Sequence, residues 1–412
     1  MTNEELLEII KQAAKDGVTE LDLSGKDITK LPPEIGNLSQ LTSLDLGENQ
    51  LTTLPKEIGK LTQLTELILW YNQLTVWPLE IGQLTQLTSL YLYENKLTVL
   101  PKEIGKLTQL TLLSLGENQL TVLPKEIGKL TQLTSLYLYG NQLTALPKEI
   151  TQLTQLISLD LGKNQLMALP KGIEQLSKLK TLSFGHPKNI YKGGSNQLTT
   201  LPPEIGQLFQ LTKLNLRGNK LTTLPKEIGQ LTQLTLLNLA WNQLTALPKE
   251  IGQLSLLTLL YLRKNQLKAL PKEIGQLSLL TDLELSGNQL TALPKEIGQL
   301  SKLETLELGS NKDGGNLLTL LPPEIGLLVN LKEPTTQATG LKLDNNPLKS
   351  PPPEIVKRGT KAILAYLQAQ LQERGKKPTT HGFETKRLSI FEIIVGIATI
   401  IAAIAAVLTL FI

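Results

Sequence analysis

An asparagine returns every 23 residues along most of this chain, at Asn49, Asn72, Asn95, Asn118, Asn141 and Asn164, then at Asn219, Asn242, Asn265 and Asn288. Around each stands the frame Leu-x-x-Leu-x-Leu-x-x-Asn-x-Leu-x-x-Leu-Pro-x-Glu-Ile-Gly-x-Leu-x-x. One clear copy holds Leu41, Leu44, Leu46, Asn49, Leu51, Leu54, Pro55, Glu57, Ile58 and Gly59. A length of 412 residues would otherwise suggest about two or three globular domains. The strict period overrides that prior. A unit this short buries too little apolar surface to offset its chain entropy, so it is stable only when stacked on copies of itself.

The frame predicts what each copy does. In Leu44-Asp45-Leu46 the apolar period is two, so both leucines point to one face of a short strand while Ser43, Asp45 and Gly47 point to the other. The chain must then turn, and the Asn amide can satisfy backbone groups of its own turn and of the adjacent copy. Pro55 ends the extended stretch and is expected in the first turn of a short helical piece, with Glu57 near its positive end and Ile58 and Leu61 turned inward. About fourteen such coils fit the chain. Terminal coils need covers. Residues 1–17 carry Leu6, Leu7, Ile9, Ile10 and Ala14 at helical spacing and predict a cap helix over the first coil, where Lys26 replaces Asn. The array is assigned to residues 18–356, a second cap helix to 357–375, containing Ala362, Ile363, Ala365, Tyr366 and Leu367, and a polar linker to 376–388.

The unit resembles the leucine-rich repeat, in its 23-residue Ras-suppressor-like class, whose members scaffold or regulate signalling proteins. The run Asn346-Pro347-Leu348-Lys349-Ser350-Pro351-Pro352-Pro353-Glu354-Ile355, with Gly359 and Ala362 to Leu367, is similar to the array end of bacterial Roco-related proteins. There the array leads into a GTPase domain. Here no Gly-x-x-x-x-Gly-Lys-Ser/Thr occurs. The resemblance covers residues 1 to about 375. It implies an α/β solenoid, with a curved parallel sheet on the concave side and short helices or turns on the convex side, and a protein-binding role.

On such a sheet the outward residues of successive strands stand in columns about 4.8 Å apart. Six of the eight Tyr and two of the three Trp fall in them: Trp70, Tyr71, Tyr91, Tyr93, Tyr137, Tyr139, Trp241 and Tyr261. Aromatic side chains offer large contact area at low entropic cost, so these are the candidate partner-binding residues. Duplication of one repeat and plain strand propensity would give the same tyrosines. Ser114 and Gly116, between the two Tyr pairs, leave room for a notch. Lys213, Arg217, Arg263 and Lys264 form a basic stretch and Asp282, Glu284 and Glu307 an acidic one. Together they would orient a partner; singly each reads as solvated surface charge. Three insertions break the period, around His186 to Gly194, Lys312 to Gly315 and Lys332 to Thr336, and inserted loops on solenoids often carry contacts. Tolerated length variation explains them equally well. Trp77, before Pro78, reads as core or rim packing.

No catalytic constellation is visible. His186 and His381 are the two histidines and neither has an acidic or nucleophilic neighbour arrangement, while the Glu of each Pro-x-Glu-Ile is explained as a helix start. The chain has no cysteine, which excludes disulfides and thiolate metal sites and fits a reducing compartment. No cofactor or metal is expected. A net charge of +4, without a basic block in the repeats, gives no case for nucleic acid.

The acidic N-terminus Met1-Thr2-Asn3-Glu4-Glu5 does not read as a signal peptide. From Ile393 to Ile412 twenty residues pass without a charge, and residues 389–412 are expected to form a transmembrane helix. Lys386 and Arg387 precede it and place the repeats on the cytoplasmic side, making it a tail anchor. Ala398, Ala402 and Ala406 fall four apart, a pattern that permits weak homo-association, though apolar filler gives the same pattern. The expected function is a membrane-anchored scaffold that captures a protein partner on the concave sheet face; the alternative is an exported cell-surface adhesive.

Overall fold

The computed structural model describes residues 1–185, 196–334 and 340–376. Two compact units are distinguished, Met1–Gln370 and Leu371–Ile412; of the second, only the end of the last helix, residues 371–376, is described.

Among the described residues fourteen strands form one parallel sheet whose spatial order follows the sequence, from Glu20–Asp22 to Leu341–Leu343. All but one of the strands have three residues, and the register is set by the leucines: Leu44 faces Leu67, which faces Leu90. The expected alternation is present. In the strand Ser43–Asp45 only Leu44 is buried, and Leu41, Leu46, Leu51, Ile58 and Leu61 join it in a core that runs the length of the array. Full burial of each such side chain contributes roughly 1.5–3 kcal/mol.

The return path differs in detail from the sequence expectation. Each helical piece is a 3₁₀ turn, such as Lys56–Lys60, and Pro55 is its extended N-cap rather than a first-turn residue. A 3₁₀ turn rises further per residue than an α-helix, so a short segment crosses the coil's width. These turns pack against each other at Gly59, where an added Cβ would lie 2.7 Å from the Glu80 carbonyl oxygen.

The asparagines form the expected ladder. Asn72 Nδ2 donates to the carbonyls of Leu46, Leu69 and Trp70 at 2.9, 3.2 and 3.2 Å, and its Oδ1 accepts from Leu51 N–H at 2.9 Å. One side chain thus ties two coils together. Asn196 and Asn316 continue the ladder past the first two insertions, accepting from Leu166 and Leu290 N–H at 2.9 and 3.0 Å. A second ladder was not foreseen: Thr65 Oγ1 donates to Thr42 carbonyl at 2.9 Å, Thr88 to Thr65 at 3.0 Å and Thr111 to Thr88 at 3.1 Å.

Helix α1 (Asn3–Asp16) covers the first coil, with a Thr2/Glu5 capping box and Gly17 in the left-handed conformation at its end. Its inward stripe is Leu6, Ile10 and Ala13, at spacing i, i+4, i+7; Ile9 and Ala14, expected inside, are exposed. At the far end, after α2 (Pro353–Val356), α3 (Thr360–Lys376) buries Ile363, Leu364 and Leu367. The third insertion supplies its cap: Glu333 accepts from Thr360 and Lys361 N–H at 2.9 and 3.2 Å, which holds its carboxyl below the usual range.

Among the described residues no helix is long and apolar enough to cross a membrane. The transmembrane helix expected at 389–412, most of the linker and the first insertion with His186 and Tyr191 lie outside the described residues.

Candidate binding face

With coils counted from the strand Glu20–Asp22, four columns of outward residues run along the sheet, at the positions held in the second coil by Ser43, Asp45, Gly47 and Glu48, and the fourth has a backbone the sequence did not disclose. The residue just before each ladder Asn sits at positive φ in coil after coil: Glu48, Tyr71, Glu94, Glu117, Gly140 and Lys163 in succession. The left-handed region costs a residue with a Cβ roughly 1–2 kcal/mol, and glycine escapes most of that. Tyr71 at φ 49° and Trp241 at φ 59° are bulky residues in a conformation that suits glycine.

The third column explains how the rings lie. Trp70 Nε1 occupies the space a Cβ on Gly47 would need, Tyr93 Cδ2 would be 3.0 Å from a Cβ on Gly116, and Tyr139 Cδ2 2.9 Å from one on Gly162. Each ring therefore lies along the sheet over a glycine of an adjacent coil, Trp70 over the preceding one and Tyr93 and Tyr139 over the following one. The notch expected at Gly116 is filled by the Tyr93 ring. Trp70 packs edge-on against Tyr91 at 5.9 Å between centroids, and Tyr71 against Tyr93 at 5.7 Å. Trp70 and Tyr71 remain 36% and 48% exposed, with Tyr91, Tyr93, Tyr137 and Tyr139 half-buried. The sheet register brings these six residues into one patch over coils 3 to 6.

Burial and neighbouring carboxylates raise the phenols. Tyr93 is pushed up to about 12 by burial and by Glu94 and Glu117, and Tyr139 is raised by burial and by Glu117. Both rings are neutral donors at physiological pH.

The distal residues are a separate group. Trp241 lies between Lys264 Nζ, 5.6 Å from its ring centroid, and Arg217 Cζ, at 6.0 Å. Lys213 is exposed. Arg263 departs from the expected basic surface: it is 8% exposed, with Nη1 3.5 Å from Asp313 Oδ2 and Nε 3.8 Å from Glu284 Oε2. Asp313 belongs to the second insertion and is turned inward, while Lys312 before it stays exposed. Glu307, expected on the acidic surface, is 3% exposed and accepts from Ser286 Oγ at 2.6 Å. Burial raises the Glu284 carboxyl to about 7 against the pull of Arg263, and Tyr261 beside it is raised to about 12 by burial and by Glu284. Much of this charge is thus spent within the fold. The expected Trp77 packing is observed, with the side chain 7% exposed in the core.

Sequence inspection missed two features of the proximal face. The carboxylates Glu48, Glu94 and Glu117 share the column of Tyr71, and the glycines act as beds for the rings. Both were readable in principle by writing the coils beneath one another and scanning down columns. Among the described residues no group of His, Asp or Glu is arranged to hold a metal ion.

Comparison with known proteins agrees with this geometry. A family profile described as a leucine-rich repeat region matches residues 20–111 and 99–199, and a leucine rich repeat profile matches 194–244 and 254–312. A leucine-rich repeat protein of Leptospira interrogans is 42% identical, with 84% of this chain and 96% of that one covered and a TM-score of 0.65. An internalin of Listeria monocytogenes shares the fold at 24% identity and a TM-score of 0.67, over 80% of this chain and 92% of its own. The plant peptide hormone receptor RGFR1, in complex with RGF2, is 31% identical over 80% of this chain, which spans 59% of the receptor; the TM-score is 0.59. Curated protein sequences give no match. With its stacked coils, its asparagine ladder and a bacterial relative matched over nearly that relative's whole length, the chain belongs to the leucine-rich repeat family.

Proposed function

We propose that this protein is a non-enzymatic scaffold that captures a protein partner on the sheet face of coils 3 to 6 and holds it at a membrane. The observation that carries the binding site is the placement of large aromatic residues where the backbone resists them. Tyr71 stands at positive φ and 48% exposed in a column that over coils 2 to 7 is otherwise held by glycine and flexible polar residues, and Trp70 is retained on the surface at 36% exposure. Strain kept at exposed positions without core packing in return is characteristic of contact surfaces. The peptide in the RGFR1 complex makes a peptide or protein ligand a reasonable class for a related solenoid.

Membrane attachment is inferred from the uncharged run Ile393 to Ile412, and a cytoplasmic orientation from Lys386 and Arg387. The resemblance to the Ras-suppressor-like class and to Roco array ends adds signalling as the setting. Replacing Tyr91, Tyr93, Tyr137 and Tyr139 by Ala should abolish partner capture with the fold intact, and capture that persists would reject the site. Photo-crosslinking from positions 91 and 137 in cells identifies the partner directly. The adhesive alternative predicts that protease added to intact cells digests the repeats; the scaffold predicts protection.

A further inference from the structure

The proximal face has a charge character that goes beyond its aromatic content. In the four outward columns of coils 2 to 6 stand Asp45, Glu48, Glu66, Glu94 and Glu117, and no Lys or Arg. These carboxylates are interspersed with the rings, since down the fourth column the order is Glu48, Tyr71, Glu94, Glu117. Among the described residues, Glu117 is ion-paired and Glu66 accepts from Ser43 Oγ at 3.2 Å, whereas Glu48 and Glu94 face no cation. The concentration of negative charge is felt locally: burial first, and then Asp22, Glu66 and Glu48, raise the carboxyl of Asp45.

The protein itself shows how this surface holds a cation. Lys163, from the seventh coil, sends its ammonium 3.0 and 3.1 Å from the two Glu117 oxygens and 5.7 Å from the centroid of the Tyr139 ring. A carboxylate on one side and an aromatic face on the other form one ammonium seat, already filled. Carboxylate and ring recur without an internal cation at Glu94 beside Tyr93 and at Glu48 beside Trp70 and Tyr71. Columns about 4.8 Å apart put Glu48 and Glu94, two coils apart, roughly 10 Å from each other. An extended peptide spaces alternate side chains at about 6.8 Å, so long Lys or Arg side chains reach both.

Resting on the protein-binding function above, we propose that the face of coils 2 to 6 is a track for an extended, lysine- and arginine-bearing segment of the partner protein. Its cations seat between Glu48 or Glu94 and the neighbouring rings. Phosphate-bearing partners are repelled by the same charge.

The test uses the full chain and a fluorescein-labelled twelve-residue peptide of alternating lysine and serine, with an alternating glutamate and serine peptide as its counterpart. Fluorescence anisotropy should show binding of the lysine peptide alone. Its affinity should fall at least tenfold between 50 and 300 mM salt and at least tenfold in the Glu48→Gln, Glu94→Gln variant, in which no observed ion pair is touched. Glu126→Gln with Glu149→Gln, on the 3₁₀ side, should change nothing, and Lys163→Ala should tighten binding about threefold by freeing Glu117. Equal affinity in the Glu48→Gln, Glu94→Gln variant, or no binding of the lysine peptide, overturns the proposal. A partner crosslinked at position 91 through a segment without Lys or Arg overturns this assignment and leaves protein binding intact. Absence of any crosslink at both 91 and 137 removes the protein-binding function as well.

Discussion

If Tyr71 is kept for contact, its replacement by glycine should be nearly free for the fold and costly for binding. Tyr71 has φ 49°, so Tyr71→Gly relieves roughly 1–2 kcal/mol of left-handed strain. Against this stand loss of the edge contact to Tyr93 at 5.7 Å, about 0.5–1.5 kcal/mol, and a glycine entropy cost of about 0.5–1 kcal/mol. Little burial is lost, because the side chain is 48% exposed. The contributions nearly cancel, and the expected stability change is within about 1 kcal/mol of zero, whereas emptying a buried aromatic position such as Phe184 should cost about 3–5 kcal/mol. Urea denaturation measures the difference. Hydrogen exchange at the amides of Asn72 and Gln73, which donate to Glu94 and Leu51 carbonyls at 3.1 and 2.9 Å, localises it to this coil. Partner affinity should fall by about 2 kcal/mol, roughly thirtyfold. Destabilisation of 2 kcal/mol or more would show that Tyr71 is structural, and unchanged partner affinity would refute its contact role.

Other outcomes follow from the same geometry. Asn118→Ala should cost about 2–3 kcal/mol, because the Leu97 N–H at 3.0 Å loses its acceptor while the Leu92, Leu115 and Gly116 carbonyls keep other donors; unaltered exchange at the Leu97 amide would contradict this. Gly47→Ala should displace the Trp70 indole, seen as a shift in tryptophan fluorescence, because the new Cβ takes its space. Glu284 in the folded state holds its proton to about 7, above the ordinary 4.5, so its own contribution to stability is fully present below pH 4.5 and is lost as pH rises towards 7, by on the order of 3 kcal/mol. Glu284→Gln should flatten that slope in denaturation curves taken at pH 5 and 7.5. Deleting residues 389–412 should move the protein from the membrane to the soluble fraction, and retention at the membrane would reject the anchor.

The sequence by itself determined the solenoid, its strand register, the asparagine ladder and the existence of both caps. Each is a periodic requirement repeated many times, and a signal repeated every 23 residues cannot be misread through one irregular copy. The candidate aromatic positions were legible for the same reason, as they fall outside the leucine frame. What only the tertiary structure decided was how neighbouring coils use one another. The Tyr93 ring lies over Gly116, Arg263 is drawn into the sheet by Asp313 from an insertion, and Glu333 caps a helix that begins 27 residues later. None of these is periodic. Each depends on which side chain of one coil finds space or opposite charge on the next, and that is fixed by packing at distances no spacing along the chain records.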